Sequence, residues 1–228
     1  MQNISIEKIQ AKLFDKLLNT GWDQKLRFFI NSGDFYDTLL SLYHEVDQGK
    51  RFGPGLNDIF KCFELCHFKN LKVIFIAKEA HTDCTLTNGL ALSHNFGLNT
   101  QWEFKGLHEE LQRTVGNSSL LDADLSGWAK QGALLLNGSL TTRVGYTGSH
   151  QYIWNSFTRY LLDMLNRQEN LIWIFFDETY WDAIDNTSHI KFKVPPLPKV
   201  RKVNWNSAGL FQKINKLLVD KKLEPIIW

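Results

Sequence analysis

The stretch "GWAKQGALLLNGSLTTR", residues 127–143, decides the fold. Its centre, "ALLLNGSLTT", is an apolar run that closes on polar residues. A run without polar alternation is the pattern of a strand buried on both faces. "KVIFIA" (72–77) and "LIWIFF" (171–176) read the same way, and "HIKFKV" (189–194) alternates as a fourth strand. Helical patterns lie around them: "EKIQAKLFDKLL", "DFYDTLLSLYHEV", "FKGLHEELQRTV", "QYIWNSFTRYLLDMLNR" and "AGLFQKINKLLVDKK". "GKRFGPGLN" is a loop, with Asn57 as a cap for "DIFKCFEL". Strands that alternate with helices imply an α/β fold: a central, mostly parallel four-stranded sheet flanked by helices on both faces. We expect one domain over residues 1–228, with a helical N-terminal extension over 1–20.

Composition sets outer bounds. Of 228 residues, 43% are hydrophobic and 22% charged, which fits a folded soluble chain and excludes a disordered one. A net charge of +2 excludes a uniformly basic binder, so any nucleic-acid surface must come from local placement of charge. The N-terminus lacks the apolar core of a signal peptide, and no run reaches membrane-spanning length, so a cytoplasmic location without membrane contact is expected. "CFELCH" brings Cys62, Cys66 and His67 together. Three cysteines in all are too few to close a structural zinc site without a distant ligand, so buried free thiols, no metal and no cofactor are expected.

In a parallel sheet the ligand crevice lies beyond the carboxyl ends of the strands. Residues 77–82, 137–142 and 177–179 fall there, and the loop 195–202 can join them. Lys78, Glu79 and His81 offer a cation, a carboxylate and an imidazole for acid–base work, or form a solvated loop with an incidental ion pair. Asn137 presents a donor and an acceptor side by side, to read a pyrimidine edge or to cap its own turn. "KFKVPPLPKVRK" crowds Lys191, Lys193, Lys199, Arg201 and Lys202 onto a proline-stiffened loop, suited to a phosphate backbone or simply to solubility. "RVGYTGSHQ" adds Ser149 and His150 as a phosphate contact or a tight turn. Trp128, Trp173 and Trp228 sit in apolar contexts and read as core, whereas Trp102 and Trp205 lie in expected loops as candidates for base stacking.

Taken in order, these segments resemble the uracil-DNA glycosylases of the Ung type, over roughly Trp22 to Trp228. The block at 127–143 is close to that family's W-A-x-Q-G-V-L-L-L-N-x-x-L-T-V-R. "GLALS" (89–93) is similar to its G-L-A-F-S, and "EPIIW" to its T-P-I-D-W. The resemblance implies a monomeric enzyme that flips a base out of double-stranded DNA into a tight pocket. The family's G-Q-D-P-Y-H falls on Ala77, Lys78, Glu79, Ala80, His81 and Thr82. Its water-positioning Asp becomes Glu79, the Tyr that bars 5-substituted pyrimidines becomes His81, and the stacking Phe becomes Leu92. The base-reading Asn is kept as Asn137. Its H-P-S-P-L-S falls on residues 195–200, so the His that steadies the leaving base is replaced by Pro195, and the Leu wedge by Lys199. The phosphate-gripping serines fall on Glu103 and Glu178, while His150 matches a His near the DNA backbone.

The resemblance thus implies Glu79, Lys78 and His81 as catalytic residues. Asn137, Leu92, Ala77 and Ala80 would hold the base, and His150, Ser149, Lys199, Arg201 and Lys202 the DNA. Two readings follow. One is a DNA glycosylase retargeted from uracil to a bulky 5-modified pyrimidine, such as hydroxymethylated or glucosylated cytosine of phage DNA. The other is a scaffold without catalysis that binds DNA or protein. Lys78 is also a candidate amine nucleophile for strand cleavage after base loss.

Overall fold

The computed structural model describes residues 5–95, 102–116, 123–197 and 205–228. The helices are α1 (Ile6–Asp15), α2 (Trp22–Ile30), α3 (Gly33–Asp47), α4 (Lys61–Leu65), α5 (Trp102–Val115), α6 (Ser126–Lys130), α7 (Gln151–Asn166) and α8 (Leu210–Asp220). The strands are β1 (Phe52–Gly53), β2 (Val73–Glu79), β3 (Ala133–Ser139), β4 (Thr142–Arg143), β5 (Ile172–Phe175) and β6 (Ile190–Lys193).

Four of the strands form one sheet in the order β3-β2-β5-β6, and every pairing in it is parallel. In β2, Val73, Ile74, Phe75 and Ile76 are buried in succession, so side chains pointing to either face of the sheet meet cover. Phe75 packs against Trp128 and Trp228. A second aromatic cluster joins Phe35, Phe60, Phe63 and Phe157. Trp128, Trp173 and Trp228 are core residues as expected. Each such fully buried side chain contributes about 1.5–3 kcal/mol.

Serines start two of the helices: Ser5 accepts from the Lys8 N–H and Ser32 from that of Phe35. Through Ile6, Leu13 and the following Leu17, the first helical segment is buried in the same core as the sheet.

Several local expectations are corrected. α4 is a single turn preceded by Phe60, and Asn57 does not cap it. The "LTT" at the end of the long apolar stretch leaves the main sheet, because β4 pairs antiparallel with β1. Trp102 opens α5 rather than lying in a loop. Cys62 and Cys66 are buried free thiols, but Cys84 is only half-buried. Burial pushes the Cys66 thiol up to about 12, which keeps it protonated. No helix among the described residues is long and apolar enough to cross a membrane.

Candidate active site

Two neighbouring strand ends build the site. β3 is buried along its whole length, whereas β2 emerges at Ala77, Lys78 and Glu79, which are half-buried. The parallel register sets Ala77 beside Asn137 and Glu79 beside Ser139. A cavity of about 400 Å³ opens there, walled by Ala77, Lys78, Glu79, His81, Leu92, His94, Asn137, Phe176, Asp177 and Leu197, among others. The structure therefore brings together the expected Glu79, Lys78, His81, Asn137, Leu92 and Ala77. Ala80 is corrected: it is buried behind the wall, and its N–H donates to the Ser139 carbonyl.

The Glu79 carboxylate is anchored at one oxygen. Its Oε2 accepts from the Gly148 N–H at 2.7 Å and from the Thr142 hydroxyl at 3.4 Å. A carboxylate accepts at both oxygens, so Oε1 retains capacity for a water. Asn137 is buried in the wall, and its amide makes no hydrogen bond among the described residues, so both donor and acceptor remain for a ligand. His81 Nδ1 accepts from the Asp83 N–H at 2.9 Å, which assigns the ring proton to Nε2.

Leu92 adopts φ +66°, in the left-handed region, on a loop tied to β3 by the Ala91 N–H donating to the Leu135 carbonyl. At Gly89 on the same loop a Cβ would lie 1.9 Å from the Asp58 carbonyl oxygen, so only glycine allows this close approach.

A second histidine, His94, joins the site with little signal in the sequence pattern. It follows Ser93 directly, bridges Thr87 across the loop, and is buried against the cavity. Its ring meets that of His81 edge to face, with centroids 5.6 Å apart. Burial, and then the neighbouring His81, push His94 down to about 4, so its imidazole is neutral at neutral pH. Its place directly after residues 89–93 is the one sequence signal, and nothing in that spacing says which way the loop turns.

The far wall holds Phe176 and Asp177, just past the end of β5. Phe176 stacks on Trp205, whose indole N–H donates to the Pro195 carbonyl at 2.9 Å. Trp205 is therefore a wall support, not an exposed stacking residue. The Asp177 carboxylate accepts from the Thr179 N–H. Tyr180 lies over Gly138, where a Cβ would meet its ring at 2.1 Å. Burial, then the charges of Asp177 and Glu79, raise its phenol to about 12, a sign that both carboxylates lie near it.

Behind the site stands a polar frame bonded largely within itself. Arg143 donates two bonds of 2.6 Å to Glu45. Thr141 Oγ1 accepts from the Trp154 indole and bonds His150 Nδ1 at 2.8 Å. His150 Nε2 lies 3.6 Å from Glu45. The expectation that His150 touches DNA is thus corrected: its ring is wholly enclosed and positions the strand end instead. Ser149 is half-buried and accepts from the Arg143 N–H.

In the basic loop, Lys191 donates inward to the Trp181 and Ile184 carbonyls, and Lys193 pairs with Glu178, so neither is a ready phosphate contact. Lys199, Arg201 and Lys202 lie outside the described residues. Among the described residues no cluster of three or more His, Cys, Asp or Glu side chains is placed to hold a metal ion.

No protein-family model matches the chain. A uracil-DNA glycosylase from Amoebophilus asiaticus is 30% identical over 200 residues, covering 85% of this chain and 91% of the relative. One from Caenorhabditis elegans is 27% identical over 225 residues, covering 96% and 76%. Among solved structures, mimivirus uracil-DNA glycosylase superposes with a TM-score of 0.81 at 18% identity, covering 97% of this chain and 91% of that one.

Proposed function

The chain belongs to the uracil-DNA glycosylase family, and from that membership we propose that it flips a pyrimidine out of duplex DNA and hydrolyses its N-glycosidic bond. The observation that carries this reading is the joint opening of Glu79 and Asn137 into one cavity at the ends of adjacent strands. In the reaction the bond between the sugar C1′ and the base nitrogen breaks. The electron pair leaves with the base, and the sugar develops oxocarbenium character. Glu79 steadies that positive charge and orients the water whose oxygen adds to C1′; the water proton passes to the carboxylate. The Asn137 amide pairs with the base edge, and either amide orientation suits a pyrimidine, so cytosine derivatives fit as well as uracil. That proton then leaves Glu79 through solvent and a proton is taken up by the base anion, so the products are a free base and an abasic site.

The base we propose is a bulky 5-modified pyrimidine. His81 and Leu92 stand where the family carries its Tyr gate and its stacking Phe. Removing two large aromatics admits a larger group and does not improve the reading of uracil. Hydroxymethylated and glucosylated cytosines occur in the DNA of bacterial viruses, so removal of such bases would leave abasic sites in invading DNA. Antiviral defence is the role this supports. Lys78, half-buried in the cavity wall, balances charge on the departing base.

The rival reading, a scaffold that binds without catalysis, draws on Pro195 at the place of the family's base-steadying His. Mass spectrometry of bases released from natural and viral DNAs, by the wild type and by Glu79→Gln, separates the two. A modified pyrimidine released by the wild type alone supports a glycosylase. Equal release by both proteins removes Glu79 from the mechanism, and no release from any DNA favours the binding scaffold.

A further inference from the structure

We propose that Tyr146 and Tyr152 form a stacking platform at the rim of the cavity, and that its occupant is a nucleobase of the DNA left unstacked when its neighbour is flipped. The inference rests on the glycosylase reading above and adds a second contact surface to it. Both side chains stand in solvent, Tyr146 at 62% exposure and Tyr152 at 69%. Tyr146 lies on the loop between β4 and α7. The next residue, Thr147, lines the cavity, and the Gly148 N–H anchors Glu79 at 2.7 Å. Tyr152 stands in the first turn of α7. The loop is tied down: the Gly145 N–H donates to the Thr82 carbonyl, the Ser149 N–H to the Tyr146 carbonyl, and the Arg143 N–H to the Ser149 hydroxyl. A side chain on such a loop is placed before its ligand arrives, which lowers the cost of binding. The two rings share Arg143 as a neighbour. Its guanidinium lies 5.6 Å from the Tyr146 centroid, and hydrogen bonding to Glu45 chiefly, then the Tyr152 and Tyr146 phenols, raise it above the ordinary arginine value. Residues 144–152, "VGYTGSHQY", hold no carboxylate to repel phosphate. Flipping a base breaks the stack on the bases beside it. An aromatic ring at the rim restores a stacked face to any of them, because every base has a π-face. A protein partner would call for apolar neighbours, whereas Thr147, Gly148, Ser149 and Gln151 stand between the two tyrosines in the chain.

The test measures Kd, by fluorescence anisotropy, for a duplex that carries a tetrahydrofuran abasic site in place of the flipped nucleotide. Three further duplexes also lack the base 5′ to that site, 3′ to it, or opposite it. Wild type, Tyr146→Phe, Tyr146→Ala and Tyr152→Ala are compared on all four. We expect each Ala variant to bind the first duplex ~10-fold more weakly, and Tyr146→Phe, which keeps the ring, to stay within about twofold of wild type. Loss of the stacked base should cost wild type ~10-fold at one of the three positions and Tyr146→Ala less than about twofold there, because its partner is already gone. An unchanged Kd in either Ala variant, equal losses in Tyr146→Phe and Tyr146→Ala, or additive losses at all three positions would overturn the inference while leaving the glycosylase reading intact. Self-association of the wild type that the Ala variants lose, with DNA affinity unchanged, would likewise overturn it and assign the rings to a second copy of the chain. No binding of any duplex by the wild type would instead refute the DNA reading, and the inference would fall with it.

Discussion

The ends of β2 and β3 lie side by side and are finished in opposite ways. Beyond β3, Thr141, Glu45, Arg143 and the Nδ1 of His150 bond to one another and to Trp154. At the cavity, Glu79 has one oxygen anchored, His81 has one nitrogen anchored, and Asn137 makes no bond among the described residues. The frame bonds mostly to itself, with the enclosed His150 Nε2 standing 3.6 Å from Glu45, whereas the site is half-satisfied and open to a cavity. Unused hydrogen-bonding capacity on rigidly held groups is what a ligand can use, so this difference separates residues that hold the fold from residues that act.

The contrast breaks most clearly through Glu79. Glu79→Gln should lower base release by ~10³-fold, about 4 kcal/mol of barrier, while urea unfolding changes by less than ~1 kcal/mol. A large loss of stability with little loss of rate would move Glu79 into the frame.

The reverse holds for Glu45. Glu45→Gln leaves Arg143 without its carboxylate and should cost ~3 kcal/mol of stability, with release per folded molecule within about threefold of wild type. Hydrogen bonding from Arg143 holds the Glu45 carboxyl below its ordinary value of 4.5. Its contribution is therefore fully present above that pH and is lost as the pH falls through the lower folded value. The variant should lose that part of the acid sensitivity, as unfolding curves at several pH values would reveal.

The smallest effect sharpens the cavity side. Burial depresses His94 from 6.5 to about 4. A depressed folded value means stability that is complete above pH 6.5 and is lost as the pH falls towards 4. Between pH 7 and 5 the loss should be ~2 kcal/mol more in the wild type than in His94→Gln. Equal losses would mean that His94 is not desolvated.

The same contrast explains what was legible in the sequence. The strands were, because an apolar run such as Val73–Ile76 has few alternatives to a doubly covered strand. Glu79, Lys78, His81 and Asn137 were, because strand ends fix where they emerge. Long-range folding back was not. Trp205 reads as a loop residue able to stack on a base, yet its indole N–H turns inward to the Pro195 carbonyl. His150 reads as a phosphate contact or part of a tight turn, yet its ring fills the space beside Thr141 and Glu45. Leu92 in a left-handed backbone and the turn of His94 towards His81 depend on loop contacts with Thr87 and Leu135 that no local pattern encodes.

We propose that the half-satisfied groups of one cavity excise a 5-modified pyrimidine from DNA. The most direct measurement is mass spectrometry of the base freed from a duplex with a single 5-hydroxymethylcytosine, beside the same duplex with a single uracil. Free 5-hydroxymethylcytosine is expected with wild-type protein, and none with Glu79→Gln. Release of uracil alone would contradict it.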